Sequence, residues 1–167
     1  NTKVYPCLGN HESAPVDSFP PPGMNNEENS NQWLNSYVKK VWSRWLPSES
    51  LKTIEYAGYY AANYTDKLRI ISLNTQYCDN LNFWLYVNDT DPGNMLHWLV
   101  DELSWAEGAG VKVIILGHIP TGIKNCLKTF SWNFYKIIDR FESTVVGQYM
   151  AHTHLDNLSI MCSEESD

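Results

Sequence analysis

The chain has 167 residues, 43% of them hydrophobic, which is enough for one globular domain with a buried core. Its formal net charge is −7, and its 12 basic residues form no cluster, which argues against a nucleic-acid partner. No apolar run approaches the roughly 20 residues that cross a bilayer, so we expect no transmembrane segment.

The first third of the chain predicts a strand, a loop and a helix. Residues 4–8 are apolar and stop at Gly9, which indicates a buried strand. Residues 13–31 are rich in Pro, Asn, Ser and Glu and predict a long loop. Apolar residues at helical spacing then predict a helix ended by Pro47, with an aromatic stripe expected to face the core: Trp33, Leu34, Tyr37, Val38, Val41, Trp42 and Trp45.

The middle of the chain predicts a strand pair followed by a helix. Residues 56–62 and 67–74 are expected to pair through a turn near Asp66. Asp91 and Pro92 form a typical helix start, with Asp as the cap and Pro in the first turn. Gly108 and Gly110 are expected to end this helix, whose apolar face consists of Leu96, Leu99, Val100, Leu103 and Ala106.

The last third predicts further alternation of strands and helices. Residues 111–116 form a near-continuous apolar run, which is typical of a strand covered on both faces. A helix is expected over 132–141, a strand over 145–150 and a weaker last strand over 155–161. This order indicates a layered α/β domain, followed by an acidic tail at 163–167.

Four of the five histidines follow predicted strands. His11 follows residues 4–8, His118 follows residues 111–116, and His152 and His154 follow the strand at 145–150. Because functional groups in open α/β sheets gather at the carboxyl ends of strands, these imidazoles can meet at one edge. Imidazole is a common ligand of zinc and related ions, so the pattern predicts a metal site.

The competing interpretation is that each histidine is an unrelated surface or hydrogen-bonded residue. For a single histidine that interpretation is the better one, but four at strand ends favour the metal site. His97 provides the contrast, because it lies inside the helix that begins near Asp91 and is expected at the surface.

Cysteines and glycosylation sequons favour the secretory pathway, with a lysosomal or extracellular destination. None of the four cysteines lies in a Cys-x-x-Cys pair, so a structural zinc knuckle is not expected. Three sequons begin at Asn63, Asn88 and Asn157. The chain begins at Asn1 without Met or a signal peptide, and we expect it to be part of something longer.

Three short motifs resemble the last three of the five motifs of calcineurin-like metallophosphoesterases. They are Gly-Asn-His-Glu at 9–12, Gly-His-Ile-Pro at 117–120 and Ala-His-Thr-His at 151–154. Residues 82–85 and 131–135 are similar to the acid sphingomyelinase branch, and the resemblance runs from residue 4 to about residue 156. It implies a mixed sheet flanked by helices, incomplete here, with residues 1–162 as the C-terminal portion of the catalytic domain.

The resemblance also implies roles for particular residues. Asn10, His118 and His152 match the ligands of one Zn²⁺, and His154 matches a ligand of a second. His11 matches the histidine that protonates the leaving alkoxide. Two metals supply hydroxide and stabilise both oxygens of an in-line displacement. The implied reaction is hydrolysis of sphingomyelin, at a membrane surface, to ceramide and phosphocholine.

Cysteine positions carry a further implication of the resemblance. Cys78 and Cys126 match positions that pair in the family, whereas Cys7 and Cys162 have no counterpart and are expected to be buried free thiols.

This chain departs from the family pattern in two respects. Ala151 replaces the usual Gly before His152, and the added methyl would strain a turn with positive φ. The family's first two motifs, Asp-x-His and Gly-Asp-x-x-Asp, would precede Asn10, where only nine residues are present. We therefore expect weak metal binding and no useful catalysis by these residues alone.

Two other functions remain open at this stage. The same scaffold can hydrolyse nucleotides or other phosphodiesters, which substrate-loop residues between 79 and 86 would distinguish. A chain without the first two motifs can also be an inactive lipid-binding remnant.

Overall fold

A four-stranded mixed sheet, in the order β1-β2-β3-β4, forms the centre of the computed structural model within its described residues, 2–23 and 29–160. β1 (Tyr60–Thr65) and β2 (Leu68–Ser72) are antiparallel, joined by the turn predicted near residue 66. β2 pairs in parallel with β3 (Lys112–Leu116), and β3 in parallel with β4 (Val145–Tyr149). The carboxyl ends of β2, β3 and β4 therefore meet at one edge of the sheet.

Four helices flank this sheet, which confirms the predicted layered α/β architecture. They are α1 (Gln32–Trp42), α2 (Ser50–Ala57), α3 (Met95–Ala109) and α4 (Lys128–Arg140). α1 packs on α2 and α2 on β1, whereas α3 packs on β3 and α4. No helix in the described part of the chain is both long and apolar enough to span a membrane.

The second helix was not predicted, and it shifts the start of the first strand. α2 runs through residue 57 and ends at Gly58, whose φ of 78° lies in the left-handed region that favours glycine. The strand predicted over 56–62 therefore begins only at residue 60. Short apolar segments fit both a helix and a strand, and here the contacts with α1 favour the helix.

Asp91 caps the helix as predicted, but the α-helix itself begins one turn later than expected. Residues 92–94 form a 3-10 turn, and the α-helix follows from residue 95. The Asp91 carboxylate accepts hydrogen bonds from the backbone N–H groups of Leu96 (2.7 Å) and His97 (3.0 Å). At the other end, Gly110 closes α3 in the left-handed conformation, as predicted.

Two predicted strands are wrong over the described residues. Residues 4–8 pair with no strand, because side chains rather than a backbone ladder satisfy their carbonyls. Tyr60 Oη donates to Pro6 O at 2.8 Å, and Gln76 Nε2 donates to Leu8 O at 3.0 Å. Residues 155–160 have no regular structure and are exposed. Residue 161, Cys162 and the acidic tail lie outside the described residues.

The observed burial of side chains on α1 and β3 differs from what the sequence predicted. Leu34, Val38 and Trp42 form the buried stripe of α1, whereas Trp33 and Tyr37 are exposed, so only part of the aromatic stripe is core. In β3, Val113 and Ile115 are fully buried, whereas Ile114 and Leu116 on the other face are only partly buried. This strand therefore has one fully covered face rather than two.

Candidate metal centre

Backbone hydrogen bonds beyond the strand ends bring the predicted histidines together. Leu73 N donates to Leu116 O at 2.8 Å, and Gly117 N donates to Tyr149 O at 3.0 Å. One step further, Ala151 N donates to His118 O at 2.9 Å. The parallel pairing of β3 with β4 thus continues past both strands, and it places the residue after Ala151 beside His118.

A threonine after β2 holds the loop that carries His118. The hydroxyl of Thr75, a fully buried residue, accepts from the backbone N–H groups of His118 (3.0 Å) and Ile119 (2.8 Å). These two donors follow the end of β3, where no strand partner is present to accept from them. The hydroxyl therefore fixes the direction in which the loop leaves the sheet.

Three of the predicted ligands are in contact at this edge. Asn10 Oδ1 lies 2.9 Å from His118 Nε2, and His152 Nδ1 lies 3.2 Å from the same nitrogen. The two imidazole rings are 5.1 Å apart and steeply inclined, at 78°. Asn10 is buried and both histidines are half-buried, so the three donor atoms converge at the rim of the sheet.

The spacing of these donor atoms fits a zinc-type ion. Tetrahedral zinc binds nitrogen and oxygen at about 2.0–2.1 Å, which places its ligand atoms about 3.3 Å apart. The observed separations of 2.9 and 3.2 Å are close to this value. Over the described ranges, no group of three or more His, Cys, Asp or Glu side chains is placed to hold a metal. The candidate ligands in contact here are two imidazoles and the amide of Asn10.

The electrostatics of His118 favour the neutral ring that a metal ligand must be. Burial, and next the neighbouring His152, lower the pKa of His118 below its ordinary value. Glu12 opposes this shift, whereas His11 and His154 add to it. His11 and His154 are themselves exposed and near enough to influence the ring, but neither joins the contacts among the other three residues.

The glycine before Asn10 lies in a closely packed place. The Glu12 carboxylate accepts from the Gly9 backbone N–H, and these residues form the 3-10 turn that presents Asn10 and His11. A Cβ at Gly9 would lie 2.8 Å from Glu12 Oε2 and 3.2 Å from the ring of His118. A side chain here would displace the Glu12 carboxylate and press on the His118 imidazole.

The departure at Ala151 causes no backbone strain. The left-handed residues in this turn are His152 (φ 64°) and His154 (φ 56°), whereas Ala151 is not among the residues with positive φ. The methyl group therefore meets no conformational penalty. The left-handed backbone conformation falls on the two histidines, and of these only His152 contacts His118.

The predicted disulfide is present between Cys78 and Cys126, whose Cα atoms are 4.8 Å apart. Backbone pairing supports it on both sides, because Leu127 N donates to Cys78 O at 2.7 Å and Asn80 N donates to Asn125 O at 2.9 Å. The bridge thus joins the segment after β2 to the loop after His118. Cys7 is a half-buried free thiol, and burial raises its pKa to about 11.

The three sequon asparagines all lie at the surface. Asn63, Asn88 and Asn157 are exposed, as a glycan acceptor must be. Whether they carry glycans remains a prediction. His97 is exposed too, with 68% of its side chain accessible, which confirms its expected surface position.

Sequence reasoning missed three residues that surround the centre. Asp17 hydrogen-bonds to Asn10, Thr75 holds the His118 loop, and Asp79 is a buried carboxylate whose Oδ2 has no partner among the described residues. Burial is the main cause of a raised pKa at Asp79. The strand-end rule could have found Thr75, which follows β2, but no spacing identified Asp17 within its loop.

The fold and the convergent amide and imidazoles define a metallophosphoesterase. Residues 1–156 match the family model described as calcineurin-like phosphoesterase, and the chain belongs to this family. Membership implies divalent metal ions, and the donor set above fits them.

Among curated proteins, the chain is 48% identical over 163 residues to sphingomyelin phosphodiesterases of Bos taurus and Homo sapiens. These matches cover 98% of this chain but only 26% and 25% of the relatives, so the chain spans about a quarter of their length. It is also 31% identical over 176 residues to a cyclic GMP-AMP phosphodiesterase of Rattus norvegicus, covering 100% of this chain and 38% of that protein. The resemblance to acid sphingomyelinase is thereby confirmed.

Proposed function

We propose that the protein containing this chain hydrolyses sphingomyelin to ceramide and phosphocholine in a zinc-dependent reaction. The observation that carries the proposal is the contact of Asn10, His118 and His152 at one sheet edge, in a chain similar to sphingomyelin phosphodiesterases. The oxygen of water forms a new bond to phosphorus and water gives up a proton, the bond between phosphorus and the ceramide oxygen breaks, and the ceramide oxygen takes up a proton.

Asn10, His118 and His152 would hold one zinc ion in this proposal. Bound zinc supplies a hydroxide near neutral pH and stabilises negative charge on phosphoryl oxygens. The chain's own contribution is to present one amide oxygen and two imidazole nitrogens together at one edge of the sheet. The neutral ring favoured at His118 keeps its lone pair free for this purpose.

His11 is the proposed proton donor to the leaving ceramide oxygen. It neighbours Asn10 on the same 3-10 turn, and its exposed ring is free of contacts with the other three side chains. Histidine is the side chain that most often acts as a general acid or base, which suits this role.

A second zinc site would be completed by residues outside this chain. His154 is the ligand assigned to it here, and one imidazole cannot hold a zinc ion alone. The chain matches about a quarter of the length of its relatives, which leaves ample protein for the missing carboxylates. On this proposal the described residues bind zinc weakly, and catalysis needs the longer protein.

The same protein would act in a lysosome or outside the cell, on lipid at a membrane surface. The sphingomyelin phosphodiesterase relatives support a lipid phosphodiester substrate. The disulfide and the exposed sequons support an oxidising secretory route.

A nucleotide phosphodiesterase is the second candidate. The 31% identity to a cyclic GMP-AMP phosphodiesterase favours it, but the 48% identity to sphingomyelin phosphodiesterases is higher. Both substrates contain a phosphodiester, so the metal centre serves either one. The two are separated by offering each substrate to the same preparation.

The test measures zinc content and sphingomyelin hydrolysis at about pH 5, as befits an acidic compartment. It compares this chain, the full-length protein and the full-length variants His152→Ala and His97→Ala. We expect two zinc ions and activity in the full-length protein, loss of activity and of one zinc ion in His152→Ala, and no change in His97→Ala.

Each other outcome has a definite meaning. Hydrolysis of cyclic dinucleotides instead of sphingomyelin would select the second candidate. Lipid binding without hydrolysis of either substrate would favour the inactive remnant. Full activity of this chain alone would contradict the need for ligands outside it.

A further inference from the structure

An asparagine ligand must present its oxygen to the metal, and its side chain can adopt two orientations that differ by a flip of the amide. The amide carries an acceptor oxygen and a donor NH₂ of nearly identical shape, so packing alone does not select between them. At Asn10 the oxygen faces His118 Nε2 at 2.9 Å, whereas Nδ2 donates to Asp17 Oδ1 at 2.7 Å. His118 Nε2 donates or accepts according to its tautomer, whereas the carboxylate of Asp17 only accepts, so Asp17 is the partner that separates the two orientations.

We propose that Asp17 is a positioning residue that orients the Asn10 amide for metal binding. An ionised carboxylate only accepts hydrogen bonds, so it attracts the NH₂ group and repels the amide oxygen. The flipped orientation would bring two acceptors together at a buried residue, where water cannot easily intervene. Asp17 thereby leaves the Asn10 oxygen directed at the centre.

The backbone holds Asp17 in position for this role. Its N–H donates to Asn10 O at 3.0 Å, so residues 10 and 17 are joined by both backbone and side chain. Asp17 has a φ of 63°, a left-handed conformation that Asp and Asn tolerate better than most residues. A second hydrogen bond closes the same loop, because the hydroxyl of Ser13 accepts from the backbone N–H of Ser18 at 3.1 Å.

The inference rests on the proposed metal site and extends it outward by one residue. Groups that orient metal ligands typically change metal affinity by about 10–100-fold when they are removed. Nothing in the contact requires Asp17 to touch the ion or the substrate. Asp17 affects the metal only through the orientation of the Asn10 amide. Two substitutions of Asp17 can test this role.

The first test compares the zinc affinity of Asp17→Gly and Asp17→Asn with wild type, by competition against a chromophoric chelator on the full-length protein. Glycine accommodates the positive φ but removes the acceptor, so we expect zinc binding about 10–100-fold weaker. Asparagine keeps an acceptor and the backbone conformation, and we expect affinity within about threefold of wild type. Equal weakening in both variants would assign the effect to charge and overturn the proposal, as would wild-type affinity in both.

A second test needs no metal and separates this inference from the proposed function. In metal-free protein labelled with ¹⁵N-asparagine, the Asn10 side-chain NH₂ should be protected from hydrogen exchange, and Asp17→Gly should abolish that protection. If wild type binds no zinc but this loss occurs, the metal proposal fails while the positioning role stands. If protection is the same in both proteins, Asp17 does not orient the amide.

Discussion

Thr75 offers the sharpest test of how the fold holds the candidate metal centre. Its hydroxyl accepts from the backbone N–H groups of His118 and Ile119, at 3.0 and 2.8 Å, and the residue is fully buried. Thr75→Val keeps the shape of the side chain and removes the acceptor. The two N–H groups are then left without a partner in the protein interior.

The expected cost follows from these two groups. A buried donor that loses its only partner costs about 1–3 kcal/mol, so two of them cost about 2–4 kcal/mol if the loop relaxes partly. Thr75→Ser is the matched control, because it keeps the hydroxyl and deletes one methyl, at a cost of about 1 kcal/mol. Thr75→Ser should therefore lower the free energy of unfolding less than Thr75→Val does.

Two measurements distinguish these effects. Urea unfolding of the full-length protein should show the larger loss of stability in the valine variant. Hydrogen exchange followed by mass spectrometry should show faster exchange of the peptide containing His118 in that variant only. If the valine variant is as stable and as protected as the serine variant, the hydroxyl does not hold this loop.

Three further predictions concern other parts of the fold. Replacing Cys78 and Cys126 by serine releases a cross-link across 48 residues, which should lower the free energy of unfolding by about 4 kcal/mol in chemical denaturation. Gly122→Ala should destabilise the protein by about 1–3 kcal/mol, measured in the same way, because φ is 82° and the new Cβ would clash with the hydroxyl of Tyr135. Cys7, whose pKa burial raises to about 11, should react slowly with iodoacetamide at pH 8 and about tenfold faster per pH unit until that pKa.

Each of these predictions has its own control. For the disulfide, a reductant should destabilise wild type but not the double serine variant, and an unaffected wild type would contradict the prediction. For Gly122, the control is Gly108→Ala, where a Cβ meets nothing within 4 Å and helix propensity should add about 0.5–1 kcal/mol. For Cys7, a Cys162→Ser background isolates the signal, and rapid labelling of the folded protein at pH 8 would show that the thiol is not suppressed.

Much of the candidate site was predictable because strand ends are marked in the sequence. The apolar run before His118 and the strand before His152 end close to the edge of the sheet. Because the two strands pair in parallel, the histidines that follow them lie side by side. The disulfide was expected from the family resemblance and is present. Strand prediction failed at residues 4–8, of which only Leu8 is buried, because an apolar run does not by itself supply a neighbouring strand.

The sequence by itself determined the chemistry at this sheet edge: an amide and imidazoles, in an order typical of phosphoesterases. The tertiary structure alone decided which of them touch, since His152 contacts His118 whereas His154, two residues later, does not. It also decided the supporting contacts of Asp17 and Thr75, which bridge segments 7 and 43 residues apart along the chain. Such contacts leave no periodic pattern in the sequence, because they depend on how loops pack after the strands have paired.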